Sequence, residues 1–201
     1  MKPLSKPTIL IVRHGATAMN VDNELRGWDD PELTGEGHEQ AAKAAKKIIE
    51  LDAPLHHIYT GALRRSRQTG QHVSDATGVN MTHTDALNPW DYGDITGKPE
   101  DRQQRKNLKF FQDRPQLKTP GGESYGEFLE RYGAALKKAK QYVHEFPGKA
   151  VVLVTHSRNL YPTPHLLDGK SDIPTKSDEY GPGTVHKFEF NPDGSYTKTK
   201  L

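Results

Sequence analysis

Residues 8–17, TILIVRHGAT, constrain the fold of this chain more than any other segment. Four apolar residues in succession, three of them β-branched, predict a buried strand over residues 8–13. The strand ends at Arg13 and His14, and Gly15 lets the backbone turn sharply and approach a ligand closely. Ligands of open α/β sheets bind at the carboxyl ends of strands. The segment therefore predicts either a site with a cation and a nucleophile, or a surface turn that happens to contain a histidine.

Strands and helices alternate along the rest of the chain. The predicted strands cover residues 8–13, 57–60, 79–83, 151–154 and 185–190, with a hairpin strand after a turn at 191–194. The predicted helices cover residues 34–51, 64–77, 99–112 and 123–145, and Pro162 and Pro164 limit any helix after His156 to short or broken pieces. This alternation predicts a single domain over residues 1–201, an α/β/α three-layer sandwich with a mostly parallel central sheet.

Composition excludes several classes of protein. The net charge is only +2, and the sequence shows no basic face of the kind that nucleic-acid-binding proteins carry. The absence of cysteine excludes disulfides, a thiol nucleophile and thiolate metal ligands. No segment approaches the ~20 apolar residues of a membrane helix, and residues 1–7 lack the apolar core of a signal peptide, so we expect a cytoplasmic protein. The histidines outside positions 14 and 156 have no ligand-like spacing, and we expect no metal site.

Cationic side chains follow three of the predicted strands. Arg13 and His14 end the first strand, Arg65 lies in an arginine-rich segment after the second, and His156 follows the strand at 151–154. Parallel strands bring their carboxyl ends to one edge of a sheet, so these groups can converge there. A guanidinium group can bind two phosphate oxygens at once through paired N–H donors. The two arginines and two histidines therefore predict a pocket for a phosphate dianion.

Several ordered motifs extend this pattern over residues 8–190. They are Arg13-His14-Gly15-x-Thr17-x-x-Asn20, Arg26-Gly27-Trp28, Leu33-Thr34 with Gly37, Gln40-Ala41, LRRSRQT at 63–69, Gly122-Glu123-Ser124 and Val154-Thr155-His156. In these motifs the sequence resembles the histidine phosphatase superfamily, which includes the cofactor-dependent phosphoglycerate mutases. The resemblance implies a phosphoglycerate mutase-like fold and a small phosphorylated molecule as substrate.

The resemblance also implies a role for each matching residue. His14 would be the nucleophile that becomes phosphorylated, and the residues that hold the phosphoryl group would be Arg13, Arg65 and His156. The rim of the pocket would be formed by Asn20, Arg26 and Ser157. A neutral imidazole nitrogen is a competent nucleophile, and fixed cations supply the charge that phosphoryl transfer needs, so no metal or other cofactor is expected.

The chain departs from the family pattern at the position of the general acid. The family carries a glutamate four residues before a glycine, and LNPWDYG at 87–93 has Pro89 there, which cannot donate a proton. Asp91 is the nearest carboxyl group and our first choice for the acid, ahead of Asp94 and Asp85. The alternative for Asp91 is a structural role as a cap or an Asx turn.

Two further departures concern the segment after His156. Ser157 replaces a glycine of the family pattern, and prolines at 162 and 164 interrupt a segment that is helical in the family. We expect the segments 84–122 and 157–183 to shape the substrate site. The first hypothesis is a phosphatase that acts through a phosphohistidine. A cofactor-dependent phosphoglycerate mutase and a catalytically weak phosphoryl-binding module are the alternatives.

Overall fold

One mixed sheet organises the computed structural model, which describes residues 2–169 and 178–201. Its strands are β1 (Thr8–Arg13), β2 (Leu55–Gly61), β3 (Met81–Thr84), β4 (Ala150–Thr155), β5 (Val185–Phe190) and β6 (Tyr196–Lys200). The spatial order is β3-β2-β4-β1-β5-β6, in which the first four strands run parallel and β5 and β6 pair antiparallel at one edge. The mostly parallel sheet and the closing hairpin are confirmed.

Helices cover both faces of the sheet. They are α1 (Ala18–Val21), α2 (Gly35–Glu50), α3 (Arg64–Thr77), α4 (Arg102–Gln112), α5 (Tyr125–Glu145), α6 (Ser157–Leu160) and α7 (Thr163–Asp168). Successive side chains of a strand point to opposite faces. Accordingly, Leu10 and Val12 of β1 pack in one core with residues of α2 and α3, whereas Ile9 and Ile11 pack in the other with residues of α5. The predicted three-layer sandwich is confirmed.

Local signals in the sequence account for the ends of the main helices. The Thr34 hydroxyl accepts a hydrogen bond from the Gly37 amide at 3.1 Å and caps the start of α2. Gly78 ends α3 with a φ of 69°, a left-handed conformation that costs glycine little. Ser124 and Glu127 form a capping box at the start of α5.

The structure differs from the sequence prediction in short elements. The loop after β1 contains the single turn α1, which is too brief to show helical periodicity. The third strand begins at Met81 rather than at residue 79, because Val79 closes the end of α3 by accepting a hydrogen bond from Ser74. The segment 157–183, which is predicted to shape the substrate site, lies partly outside the described residues. In the described part of the chain, no helix is long and apolar enough to span a membrane.

Two glycines bring the loop after β1 against the start of α2. A Cβ at Gly15 would lie 2.2 Å from the carbonyl oxygen of Gly37, and a Cβ at Gly37 would lie 2.1 Å from that of Ala16. The Thr34 amide donates to the Ala16 carbonyl at 2.9 Å across the same contact. These contacts are to backbone atoms, which cannot move aside as the end of a flexible side chain can. The close approach therefore fixes the loop that carries His14.

We expect Gly37→Ala to destabilise the protein by roughly 1–3 kcal/mol, the cost of overpacking a close contact. Gly35→Ala is the matched control, because Gly35 lies in the same helical turn and a Cβ there meets nothing within 4 Å. Urea unfolding of both variants measures the difference. Equal stability of the two variants would show that the loop moves away from α2 at little cost.

Candidate active site

The carboxyl edge of the sheet brings the four predicted central residues together. Arg13 at the end of β1 pairs in register with Thr155 at the end of β4, so His14 and His156 follow on neighbouring strands. Their ring centroids lie 4.9 Å apart. Arg65, in the first turn of α3 after β2, donates from Nε to Nδ1 of His156 at 3.3 Å.

The hydrogen bonding of His14 fixes which ring nitrogen carries the proton. Its Nδ1 lies 2.7 Å from the carbonyl oxygen of Gly15, which can only accept, so Nδ1 is protonated and Nε2 keeps its lone pair. The pKa of His14 is lowered well below its usual value by burial, and further by the charges of Arg65 and Arg13. His14 is therefore neutral near pH 7, with Nε2 available as a nucleophile.

Arg65 and His156 form a rigid pair. Arg65 is 1% exposed and donates to the backbone carbonyls of Gly27, at 3.0 Å, and of Asp29. His156 accepts at Nδ1 from Arg65, so its proton is on Nε2, which lies 3.1 Å from the Ser66 hydroxyl. Among the described residues, three of the five N–H groups of Arg65 are thus bound, which leaves two for a ligand.

The buried arginines around His14 repel one another, and among the described residues none of Arg13, Arg26 and Arg65 forms an ion pair with a carboxylate. Burial lowers the pKa of Arg65 to about 9 and that of Arg13 to about 10, and in each case the charge of Arg26 adds to the effect. Arg13 donates to the Tyr180 carbonyl, and its buried Nε has no hydrogen-bond partner among the described residues. Buried polar groups are almost always paired, so this N–H and the mutual repulsion of the arginines indicate a site for an anion.

Two cavities adjoin at this edge. The inner pocket contains His14, Arg65 and His156, together with Tyr92 and other residues. The outer cavity, of about 700 Å³, is lined in part by Arg13 and α4. The residues common to both are Arg26, Glu100, Ser157 and Arg158. The structure thus brings Arg26 and Ser157 to the junction of the cavities and Asn20 to the wall of the outer cavity.

The structure does not bring Asp91 to this site. Its Oδ1 accepts a hydrogen bond from the Gly93 amide at 3.0 Å, which is the Asx turn considered as the alternative. Asp85 binds the Asn88 side chain at 3.1 Å, and Asp94 packs beside Gly121. None of the three lines the inner pocket or the outer cavity as the described residues define them. The assignment of the acid to Asp91 therefore disagrees with this geometry, because the carboxylate caps its own turn.

Glu100 is the carboxylate that the sequence reasoning missed. Among the described residues it is the only acidic one that lines either cavity. It accepts from Arg158 Nη2 at 3.1 Å and lies 3.7 Å from Arg105 Nε. Its position depends on a contact between distant segments, the bridge between Glu24 and Pro99, and no local motif marks it.

The two tryptophans act as anchors of the site loops. Trp28 donates from Nε1 to the Pro89 carbonyl at 2.8 Å, and Trp90 donates to the Glu123 carbonyl at 3.0 Å. Arg131 also donates to the Pro89 carbonyl, at 2.6 Å. These bonds hold the segment where the family pattern has its acid. In the part of the chain that the structure describes, no three His, Asp or Glu side chains form a cluster that could hold a metal ion.

Comparison with known proteins identifies a family and two kinds of enzyme. The model of the histidine phosphatase superfamily (branch 1) matches residues 9–197. The 2,3-bisphosphoglycerate-dependent phosphoglycerate mutases of Bartonella tribocorum and Mesorhizobium japonicum are 32% and 31% identical, and each match covers 96% of this chain and 97% of the relative.

Solved structures share the fold at lower identity. A mycobacterial glucosyl-3-phosphoglycerate phosphatase, in complex with VO3, is 23% identical with a TM-score of 0.78 and covers 96% of each chain. A phosphoglycerate mutase from Bacillus anthracis is 19% identical with a TM-score of 0.76, and the match covers 96% of this chain and 92% of the mutase.

Proposed function

Because the chain belongs to the histidine phosphatase superfamily, we propose that it hydrolyses the phosphate monoester of a small molecule through a phosphohistidine at His14. One observation carries the proposal. A buried, neutral histidine whose Nε2 keeps its lone pair stands among buried arginines that form no ion pair with a carboxylate among the described residues. A phosphoryl group would supply both the electrophile for Nε2 and the missing negative charge.

The proposed roles follow from the positions of the side chains. Nε2 of His14 attacks phosphorus, and Arg13 and Arg65 stabilise the charge on the phosphoryl oxygens. Phosphoryl transfer depends mainly on positioning and on such stabilisation. His156 orients Arg65 and borders the phosphoryl group, and the rim of the site is supplied by Asn20, Arg26 and Ser157. The proposal invokes no cofactor.

The segments around the outer cavity would select the substrate. α4, within the segment 84–122, contributes Arg105 and Lys109 to the cavity wall, and Tyr161 lies in the segment 157–183. The wall is therefore polar and strongly cationic, which favours a substrate with polar or anionic groups beyond its phosphate. The cytoplasmic location stays a prediction.

Phosphoglycerate mutase activity is the second candidate. It is favoured by the names of the relatives at 32% and 31% identity and by the cations of the outer cavity, which could hold a second anionic group. A mutase must retain its phosphorylated intermediate and exclude water. The outer cavity of about 700 Å³ offers water access to the site and favours hydrolysis instead.

A paired assay separates the candidates. We expect the purified protein to release inorganic phosphate from members of a panel of phosphorylated small molecules and from 4-nitrophenyl phosphate. A mutase would instead convert 3-phosphoglycerate to 2-phosphoglycerate, with a dependence on 2,3-bisphosphoglycerate and little phosphate release. Binding of phosphate without turnover of any substrate, including the aryl ester, would leave only the phosphoryl-binding module.

A further inference from the structure

We propose that Glu100 is the residue that protonates the leaving group, in place of the family acid that Pro89 replaces. The inference rests on the proposed phosphatase function and deepens it. Glu100 lines both the inner pocket and the outer cavity, together with Arg26, Ser157 and Arg158. The carboxylate thus stands at the boundary between the place of the phosphoryl group and the place of the rest of the substrate.

This boundary is where the leaving oxygen must lie. His14 is in the inner pocket, and phosphoryl transfer places the attacking and leaving atoms roughly in line on opposite sides of phosphorus. With phosphorus beside His14, the leaving oxygen points toward the outer cavity, which has room for the organic part of the substrate. A proton donor has to be within hydrogen-bond reach of that oxygen, and Glu100 lines the passage.

Arginines surround the Glu100 carboxylate at this boundary. It binds Arg158 of α6 and Arg105 of α4, and Arg13 and Arg26 line the same cavity. A substrate phosphate in the site would compete with Glu100 for these arginines.

Tyr92, another proton-bearing side chain of the inner pocket, is a poorer donor. Tyr92 lines the pocket, but burial raises the pKa of its hydroxyl, which therefore holds its proton more tightly than an exposed tyrosine does. A carboxylic acid is the better match for a leaving alkoxide near neutral pH.

The proton balance closes over two steps. In the first, Nε2 of His14 forms a bond to phosphorus, the ester P–O bond breaks, and the leaving oxygen takes the proton of Glu100. In the second, water attacks phosphorus and gives a proton to the Glu100 carboxylate, while the N–P bond breaks and returns its electron pair to His14. The sum is the ester and water converted to an alcohol and phosphate, with both residues restored.

Glu100→Gln tests the assignment, because glutamine keeps the size of the side chain and cannot deliver the proton. We expect kcat/KM for glycerol 2-phosphate, an alkyl ester, to fall by about 10²–10⁴-fold, the range of general acid catalysis. 4-Nitrophenyl phosphate has a leaving group that needs no proton and should lose much less. Glu50→Gln is the matched control, since Glu50 pairs with Lys46 on an exposed face of α2.

The outcomes separate a chemical role from a structural one. If Glu100 only holds Arg158 and Arg105 in place, both esters will slow equally, which overturns the proposal. A selective loss in Asp91→Asn with none in Glu100→Gln would also overturn it. Formate should restore alkyl ester hydrolysis to Glu100→Ala, and this result does not depend on the glutamine variant. Failure of the wild-type protein to hydrolyse either ester would instead refute the proposed function itself.

Discussion

His14→Ala is expected to lower kcat for 4-nitrophenyl phosphate by about 10⁴-fold or more, the scale on which removal of a covalent nucleophile acts. No other nitrogen in the inner pocket is free to replace it, because within the described residues both ring nitrogens of His156 contact α3. Binding of inorganic phosphate should survive, since Arg13 and Arg65 remain. Steady-state kinetics and phosphate titration of the variant measure the two effects.

His144→Ala is the control for this loss. His144 is exposed near the end of α5, and its Nδ1 contacts the Lys140 carbonyl at 2.7 Å. We expect its activity to match that of the wild type, and thermal unfolding should show that both variants are folded. A folded His14→Ala protein that keeps more than a tenth of the wild-type rate would mean that another group attacks phosphorus.

Arg65→Lys is expected to reduce kcat/KM by about 10²–10³-fold, comparable to the loss of one preorganised donor to a transition-state oxyanion. Lysine keeps the charge, but it lacks the planar fork that binds Gly27, Asp29 and His156 at once. The same change removes the donor from the buried carbonyl group of Gly27, and a buried acceptor left unsatisfied costs roughly 1–3 kcal/mol of stability. Kinetics and urea unfolding test the two effects separately.

Arg67→Lys provides the comparison within the same helix. Arg67 is exposed on α3, so the substitution makes the same chemical change away from the site. The variant should keep both activity and stability. If Arg65→Lys also retains activity within threefold, the buried guanidinium holds the loop and does not act on the phosphoryl group.

The sequence was sufficient where local patterns and tertiary structure agree. β1 and β4 are continuous apolar runs, which predict buried central strands, and both are completely buried. α3 has both of its ends as predicted, and the left-handed Gly78 is the local signal for its carboxyl end. Since parallel strands end at one edge, the meeting of Arg13, His14 and His156 followed from the strands alone.

The sequence was insufficient where the site is assembled from distant loops. The closeness of Asp91 to the family position along the chain predicts the acid there, but its carboxylate accepts a hydrogen bond from the nearby Gly93 amide. Glu100 reaches the cavities because its segment bridges the loop before Arg26, a contact between residues about 75 positions apart. No periodicity or turn signal encodes such a contact, so only the folded structure identifies this carboxylate as a candidate.

The central claim, that the reaction passes through a phosphorylated His14, is tested most directly by rapid quenching in base followed by mass spectrometry. Phosphohistidine survives base and is lost in acid, in contrast to phosphoserine. The account predicts a single phosphoryl group on the peptide that contains His14, formed from 4-nitrophenyl phosphate at least as fast as the steady-state turnover and absent in His14→Ala. Turnover with no phosphorylated peptide, or with the group on any residue other than His14, would contradict it.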